Sequence, residues 1–164
     1  MNLWLRLFWI YARSLFAGHL KILEASTILL VTLPNDMDIY GHMNNGRYLT
    51  LMDLGRIDLI VRTGLGKASQ SNRWSPLVGS VNIRYRRSLK SFQGFALRTR
   101  MIGWDEKWFY IEQTFWHRRK IVARALVQGL FRARDGNVPT TLVLRSINSS
   151  EIVSPSIPQG FAPA

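Results

Sequence analysis

The sequence predicts an α+β domain, an antiparallel sheet with one long helix laid on a face. Between residues 76 and 134 the apolar residues recur with period two in four runs joined by short polar connectors. Ahead of them, residues 48–61 carry apolar side chains at spacings of three and four, the mark of a largely buried helix. One β-prone run, residues 28–33, precedes that helix and stops at Pro34.

The chain has 164 residues, 47% hydrophobic and 20% charged, which suits a single domain with a sizeable core. It contains no cysteine, so disulfides, thiolate metal sites and cysteine nucleophiles are excluded. His19, His42 and His117 stand far apart without metal-ligand spacing, and no metal or redox cofactor is expected. Twenty-two Lys and Arg against ten Asp and Glu give a net charge of +12 and a pI near 11.1. A field of that sign favours anionic partners. The cations are spread along the chain without a helix-turn-helix, zinc-finger or RRM signature, so nucleic acid is not the expected partner.

Residues 3–16 are apolar and aromatic, interrupted only by Arg6 and Arg13. The run is too short to span a bilayer, which takes about 20 apolar residues. Nor does Ala17-Gly18-His19-Leu20 supply a small-x-small cleavage pattern. Two roles stay open, a helix packed on the domain or a partner, and an interfacial helix anchored by Trp4, Phe8 and Trp9. Peripheral membrane contact is preferred, because rings so close to a chain end are hard to bury. The expected location is cytoplasmic or membrane-associated. Gly64 closes the long helix as a natural C-terminal stop, and residues 64–75, rich in Gly, Ser, Gln and Asn, read as a loop. In the strands, Leu77 to Tyr85 alternate with Val78 to Arg86, Phe95 to Met101 with Ala96 to Ile102, and Trp108 to Trp116 with Phe109 to Phe115. Asp105-Glu106-Lys107 has hairpin-loop length, and a turn at residues 117–120 leads into a last strand, 121–134. Residues 1–25 are thus taken as an aromatic amino-terminal segment, 26–145 as the folded domain and 146–164 as an extended tail. One helix cannot easily cover such a sheet, so dimerisation is expected.

Polar chemistry concentrates where the first strand gives way to the long helix, in Asp36-Met37-Asp38-Ile39-Tyr40-Gly41-His42-Met43-Asn44-Asn45-Gly46-Arg47-Tyr48. Asn44 and Asn45 are good N-cap residues, and Gly41 and Gly46 permit backbone shapes or approaches that a β-carbon forbids. A helix starting near Asn44 points free N–H groups, with about half a positive charge, toward Asp38 and His42. Such an end can stabilise an oxyanion, and a carboxylate beside it can attack a carbonyl or activate water. The plain alternative for an Asp in that place is an acidic cap. Asp36 is assigned a capping or turn role, Tyr48 a wall or core role, and Asp53 and Arg56, three apart, a pair on the helix.

The pattern Asp36-x-Asp38-x-x-Gly41-His42-x-Asn44-Asn45-x-x-Tyr48, followed by Asp53-x-x-Arg56, resembles the hotdog-fold acyl-CoA thioesterases of the 4-hydroxybenzoyl-CoA thioesterase type. The resemblance covers roughly residues 26–145, and the aromatic amino-terminal segment is similar to a subgroup near the thioesterase superfamily member 6 proteins. It implies a hotdog fold, a sheet wrapped around one long central helix, in a homodimer or dimer of dimers. It implies hydrolysis of an acyl-CoA thioester, with coenzyme A entering only as part of the substrate. Asp38 falls on the family's catalytic carboxylate, nucleophile or general base, and the amide near Asn45 on the group that polarises the carbonyl, with His42 beside them. Gly41, Asn44 and Tyr48 fall on substrate-binding positions. Lys107 falls near a position that contacts coenzyme A phosphates, though Asp105 and Glu106 replace basic neighbours there, and Arg84, Arg86 and Arg87 are candidates to substitute. The rivals are a hotdog hydratase or dehydratase, a non-catalytic acyl-CoA-binding or membrane-associated protein, and a basic nucleic-acid binder.

Overall fold

The computed structural model describes residues 3–156. Its elements are α1 (Leu3–Phe16), β1 (Ser26–Val31), α2 (Asn45–Arg62), α3 (Leu65–Asn72), β2 (Ser75–Tyr85), β3 (Gly94–Trp104), β4 (Phe109–His117), β5 (Lys120–Ala133), β6 (Gly136–Val138) and α4 (Thr140–Arg145). The antiparallel sheet runs β1-β3-β4-β5-β2, with short β6 also on β5. This is the expected α+β arrangement, and the period-two runs map onto β2 to β5.

α2 packs across the inner face of the sheet. Tyr48, Leu51, Met52 and Leu54 are buried against Phe95, Leu97, Phe115 and Val127. Gly55 is where the helix comes closest. A β-carbon there would lie 2.5 Å from Thr99 Oγ1 and 2.9 Å from Gln113 Nε2. Gln113 fastens the contact by donating to the Met52 carbonyl and Thr99 Oγ1, each at 2.9 Å, and accepting from Arg56 at 2.8 Å. Arg56 also pairs with Asp53, as expected from their spacing. A second apolar cluster, with Ile22, Leu65, Phe109, Phe131 and Val143, fills the other end of the sheet.

α1 lies alongside α2 with its charges turned inward. Arg6 is buried and donates to Asp36 at 2.7 and 3.2 Å, while Arg13 reaches Asp58 at 3.2 Å. Each of these buried carboxylates takes a second arginine from α2, Arg47 on Asp36 and Arg62 on Asp58. Ser14 and Ser26 complete the shell around Asp58. Arg6 and Arg13, seven apart and so on one helix face, also donate to the carbonyls of Val31 (3.1 Å) and Thr27 (3.3 Å). Those carbonyls lie on the free edge of β1, so α1 blunts that edge. The outer face of α1 is left apolar, with Trp4 71%, Phe8 73% and Phe16 92% exposed.

One segment differs from expectation. Residues 65–72, expected as loop, form α3: Gly64 enters it with φ 81°, Leu65 and Ser69 are buried, and Ser69 Oγ holds the Trp74 carbonyl at 2.6 Å. The Pro- and Thr-containing stretch after Val138 forms α4, started by Pro139 and anchored by buried Val143 and Leu144. Residues 146–156 carry no strand and no further helix, and Ser154 Oγ accepts from the Trp104 amide at 2.8 Å. The rest of the expected tail, 157–164, lies outside the described residues. β2, at the opposite edge from β1, is exposed along nearly its whole length, Leu77, Val78 and Val81 included.

Candidate active site

The segment between β1 and α2 folds back on itself. One 3₁₀ turn, Pro34–Asp36, is followed by a bridge between Met37 and Met43, and residues 38–42 form the tip. The Asp38 amide donates to the His42 carbonyl at 2.7 Å, and Gly41, at φ 72°, returns its amide to the Asp38 carbonyl at 3.1 Å. Asp38 Oδ1 accepts from the amides of Tyr40 (2.9 Å) and His42 (3.1 Å). Oδ2 has no hydrogen-bond partner among the described residues.

Asn44 is the N-cap of α2, its side chain accepting from the Gly46 amide at 2.8 Å and its carbonyl from the Arg47 amide at 2.9 Å. The Asn45 amide between them has no acceptor among the described residues. Its N–H is therefore the free donor at the positive end of the helix. The Asn45 carbonyl is held by the Tyr85 hydroxyl at 3.2 Å.

Asp38, His42, Asn45 and Tyr48 line one cleft of about 310 Å³, closed on the other side by Tyr85, Arg86, Arg87 and Ser88. Tyr48 is buried edge-on between Tyr85 (5.2 Å) and Phe115 (5.0 Å), and burial pushes its phenol up to about 12. It is a neutral wall at physiological pH.

Asp36 is the base of the loop. Burial alone raises its carboxyl, but the Arg6 hydrogen bonds, the Leu33 amide at 2.9 Å and Arg47 more than offset this and hold it below the usual carboxylate range. The Asp36 carbonyl accepts from the Asn44 amide at 2.9 Å, which ties the loop to the helix start. The expected turn role holds for its backbone, and the side chain is in addition a buried two-arginine anchor.

The other candidates fall elsewhere. Gly41 and Asn44 shape the loop and cap the helix and do not line the cleft. Arg84 is exposed on β2 opposite Arg124, one residue out of phase with Tyr85. Lys107 lies with its Nζ 4.6 Å from the Trp108 ring centroid, at the end of the sheet where Phe109 pairs with Gly129 and Gly129 with Val78. Tyr85 lies seven positions beyond Val78, roughly 23 Å at strand rise. Tyr85 and Ser88 were missed, since a tyrosine closing a strand's apolar face reads as core.

The profile of the thioesterase-like superfamily matches residues 32–163. A protein named THEM6 from Danio rerio is 36% identical over 152 residues, covering 90% of this chain and 75% of its own length. The chain spans only 61% of a Xenopus laevis protein of the same name, at 36% identity over 79% of this chain. A probable thioesterase of Saccharomyces cerevisiae is 27% identical, covering 63% of this chain and 45% of its own. Among solved structures, the probable thioesterase YbaW of Escherichia coli superposes with TM-score 0.70 at 19% identity, over 76% of this chain and 96% of that one. The expected hotdog fold is thus borne out.

Proposed function

This chain belongs to the thioesterase-like superfamily, and on that premise we propose that it hydrolyses an acyl-CoA thioester to a free acid and coenzyme A. One observation carries the reading: a carboxylate with an uncommitted oxygen and a helix-start amide with no acceptor line the same cleft. The thioester carbonyl oxygen sits on the Asn45 N–H, which stabilises the negative charge that gathers there during attack. Asp38 then acts in one of two ways. As nucleophile it bonds to the acyl carbon and expels the thiolate, leaving a mixed anhydride that water opens. As general base it takes a proton from water, which attacks, and the proton passes on to the departing thiolate. Neither route calls for a metal or redox cofactor. His42 flanks Asp38 and fixes it through its amide.

We assign the acyl group to an apolar groove of about 390 Å³ farther along α2, walled by Leu54, Ile57, Leu77, Phe109, Ile111 and Phe131, which shares no lining residue with the cleft. We take the open, apolar β2 edge as the surface that pairs with a second copy, giving a homodimer or a dimer of dimers. A monomer in sedimentation at micromolar concentration removes that part.

The test of the chemistry is Asp38→Asn and Asp38→Ala, assayed by thiol release over a panel of acyl-CoAs. Turnover falls by about two or more orders of magnitude, the scale of general-base catalysis, with circular dichroism unchanged. Turnover near wild type in both variants rules the assignment out.

The outward face of α1 supports a second role. Charges turned in and rings turned out suit contact with an anionic bilayer surface, which the net charge of +12 favours. Among the described residues no helix is long and apolar enough to cross a membrane. Replacing Trp4, Phe8 and Trp9 by Ser abolishes co-sedimentation with phosphatidylserine vesicles; retention equal to wild type refutes this role.

A further inference from the structure

The β4–β5 hairpin closes through Arg118 and Arg119, both with left-handed backbone, φ 46° and 62°. Two-residue hairpin turns of this shape select Asn-Gly, because a β-carbon and long side chain are disfavoured there. Two consecutive arginines are the locally unfavourable choice, and backbone in such regions clusters at functional sites. Arg119 and Lys120 join Arg86, Arg87, Trp116 and Ile121 around a shallow hollow. Arg86 and Arg87 also wall the Asp38 cleft, so the two spaces share one partition. That partition is fixed, since both amides donate to the Val122 carbonyl, at 2.8 and 3.1 Å.

These cations differ from the seven arginines that stand in ion pairs. Arg6, Arg13, Arg47, Arg56, Arg62, Arg100 and Arg124 each pair with a carboxylate. Among the described residues none of Arg86, Arg87, Arg118, Arg119 and Lys120 does. Four of these unpaired cations, Arg86, Arg87, Arg119 and Lys120, thus line the hollow beside the cleft, and Arg118 is carried on the same turn. Trp116, half-buried, is set by its Nε1 donating to Thr114 Oγ1 at 2.9 Å.

We propose that this hollow seats the phosphorylated nucleotide end of the substrate. Arg119, Lys120, Arg86 and Arg87 hold phosphates, and the Trp116 indole faces the base. The choice of nucleotide rests on the acyl-CoA reading above; the phosphate affinity rests on the charge arrangement alone. The thioester then enters the cleft across the Arg86–Arg87 partition. Lys107, at the far end of the same sheet, takes no part within one subunit.

The experiment uses the full chain and the double variant Arg118→Asn/Arg119→Gly, which restores the usual turn sequence, with Arg119→Ala/Lys120→Ala as a second variant. Adenosine 3′,5′-bisphosphate is titrated calorimetrically. Hydrolysis of one acyl group is compared on coenzyme A and on N-acetylcysteamine, which lacks the nucleotide. In both variants binding of the bisphosphate weakens at least tenfold, and the kcat/KM preference for the coenzyme A thioester shrinks by a similar factor, chiefly through KM. Unchanged binding and preference overturn the proposal, and so does an equal loss on both thioesters, which marks a structural disturbance. Discrimination seen only with an acyl carrier protein thioester also overturns it, making the patch a dock for an acidic protein. Bisphosphate binding that the variants abolish in a chain without hydrolysis leaves this seat standing and removes the thioesterase reading. Hydrolysis without nucleotide dependence does the reverse.

Discussion

Arg6→Ala removes one arm of a buried ion pair that ties α1 to the loop carrying Asp38. Both partners are buried, Arg6 at 1% and Asp36 at 0% exposure. After the substitution Asp36 keeps Arg47 and the Leu33 amide but loses two donors at 2.7 and 3.2 Å. Breaking a buried pair from one side costs about 3–5 kcal/mol. Retention of Arg47 places the loss near the lower bound, about 3 kcal/mol. For a chain of this size each kcal/mol moves Tm by about 2–4 °C, so Tm falls by roughly 6–12 °C at pH 7.

The pH dependence has a definite sign. In the wild type the folded Asp36 pKa lies below its unfolded value of about 3.9. Its stabilisation is therefore complete above that value and is lost as pH falls through the folded pKa. Without Arg6, burial is less opposed and the folded pKa rises, so acid relieves the variant while it weakens the wild type. The gap in Tm narrows on acidification. Thermal unfolding by circular dichroism at pH 7 and at pH 3, below the unfolded value, checks both points. A shift under 2 °C at pH 7, or a gap that widens in acid, refutes the account of Asp36 as the loop's anchor.

Gly55→Ala forces a methyl group against Thr99 Oγ1 and Gln113 Nε2 and lowers stability by roughly 1–3 kcal/mol in urea titration; an unchanged midpoint shows that α2 rides higher on the sheet. Asn44→Ala removes the N-cap bond to Gly46, costs about 1 kcal/mol, and lowers kcat by loosening the helix start, whereas Asn44→Asp keeps both. Tyr48 and Tyr110 are pushed up to about 12, by burial first and for Tyr110 also by its bond to Asp105. Since phenols titrate near 10 when unfolded, these two contribute stability that is full below pH 10 and is lost between about 10 and 12. Absorbance titration at 295 nm shows late-titrating tyrosines coincident with alkaline unfolding; normal titration of all five tyrosines contradicts their burial.

Legibility followed the range of the interactions. The strands were readable because a period of two needs only neighbours. The cap at Asn44 and the juxtaposition of Asp38 with Asn45 were readable because seven residues of local spacing set them. Asp36 was read as a turn residue because its main partner lies 30 residues away, on a helix whose packing was undecided. Arg6 and Arg13 looked like interruptions of an apolar run, yet their spacing of seven, with Ile10 between them and Ser14 just after, traces the buried face. α3 was hidden in Leu-Gly-Lys-Ala-Ser-Gln-Ser-Asn, whose helix depends on a left-handed Gly64 and on burial of Leu65 and Ser69. Lys107 and Arg84 were misplaced relative to the cleft because strand register, not sequence distance, decides which end of a sheet a residue occupies.

The two carboxylates of the loop, two residues apart, have opposite fates, and the first makes the second useful. Among the described residues every buried side-chain polar atom has a hydrogen-bond partner. The unused carboxylate oxygen and the unused amide stand outside that rule, because both belong to residues open to the cleft. The cap bond explains the amide: Asn44 Oδ1 takes Gly46, its carbonyl takes Arg47, and Asn45 is passed over. The loop tip explains the carboxylate, because the Tyr40 and His42 amides both converge on Oδ1 and leave Oδ2. Asp36 fixes the separation of the two, its side chain on Leu33 and its carbonyl on Asn44. Release of Arg6 from Asp36 is therefore two covalent steps and one hydrogen bond away from the cleft, and on the proposed chemistry α1 is a positioning element for Asp38 and the Asn45 amide.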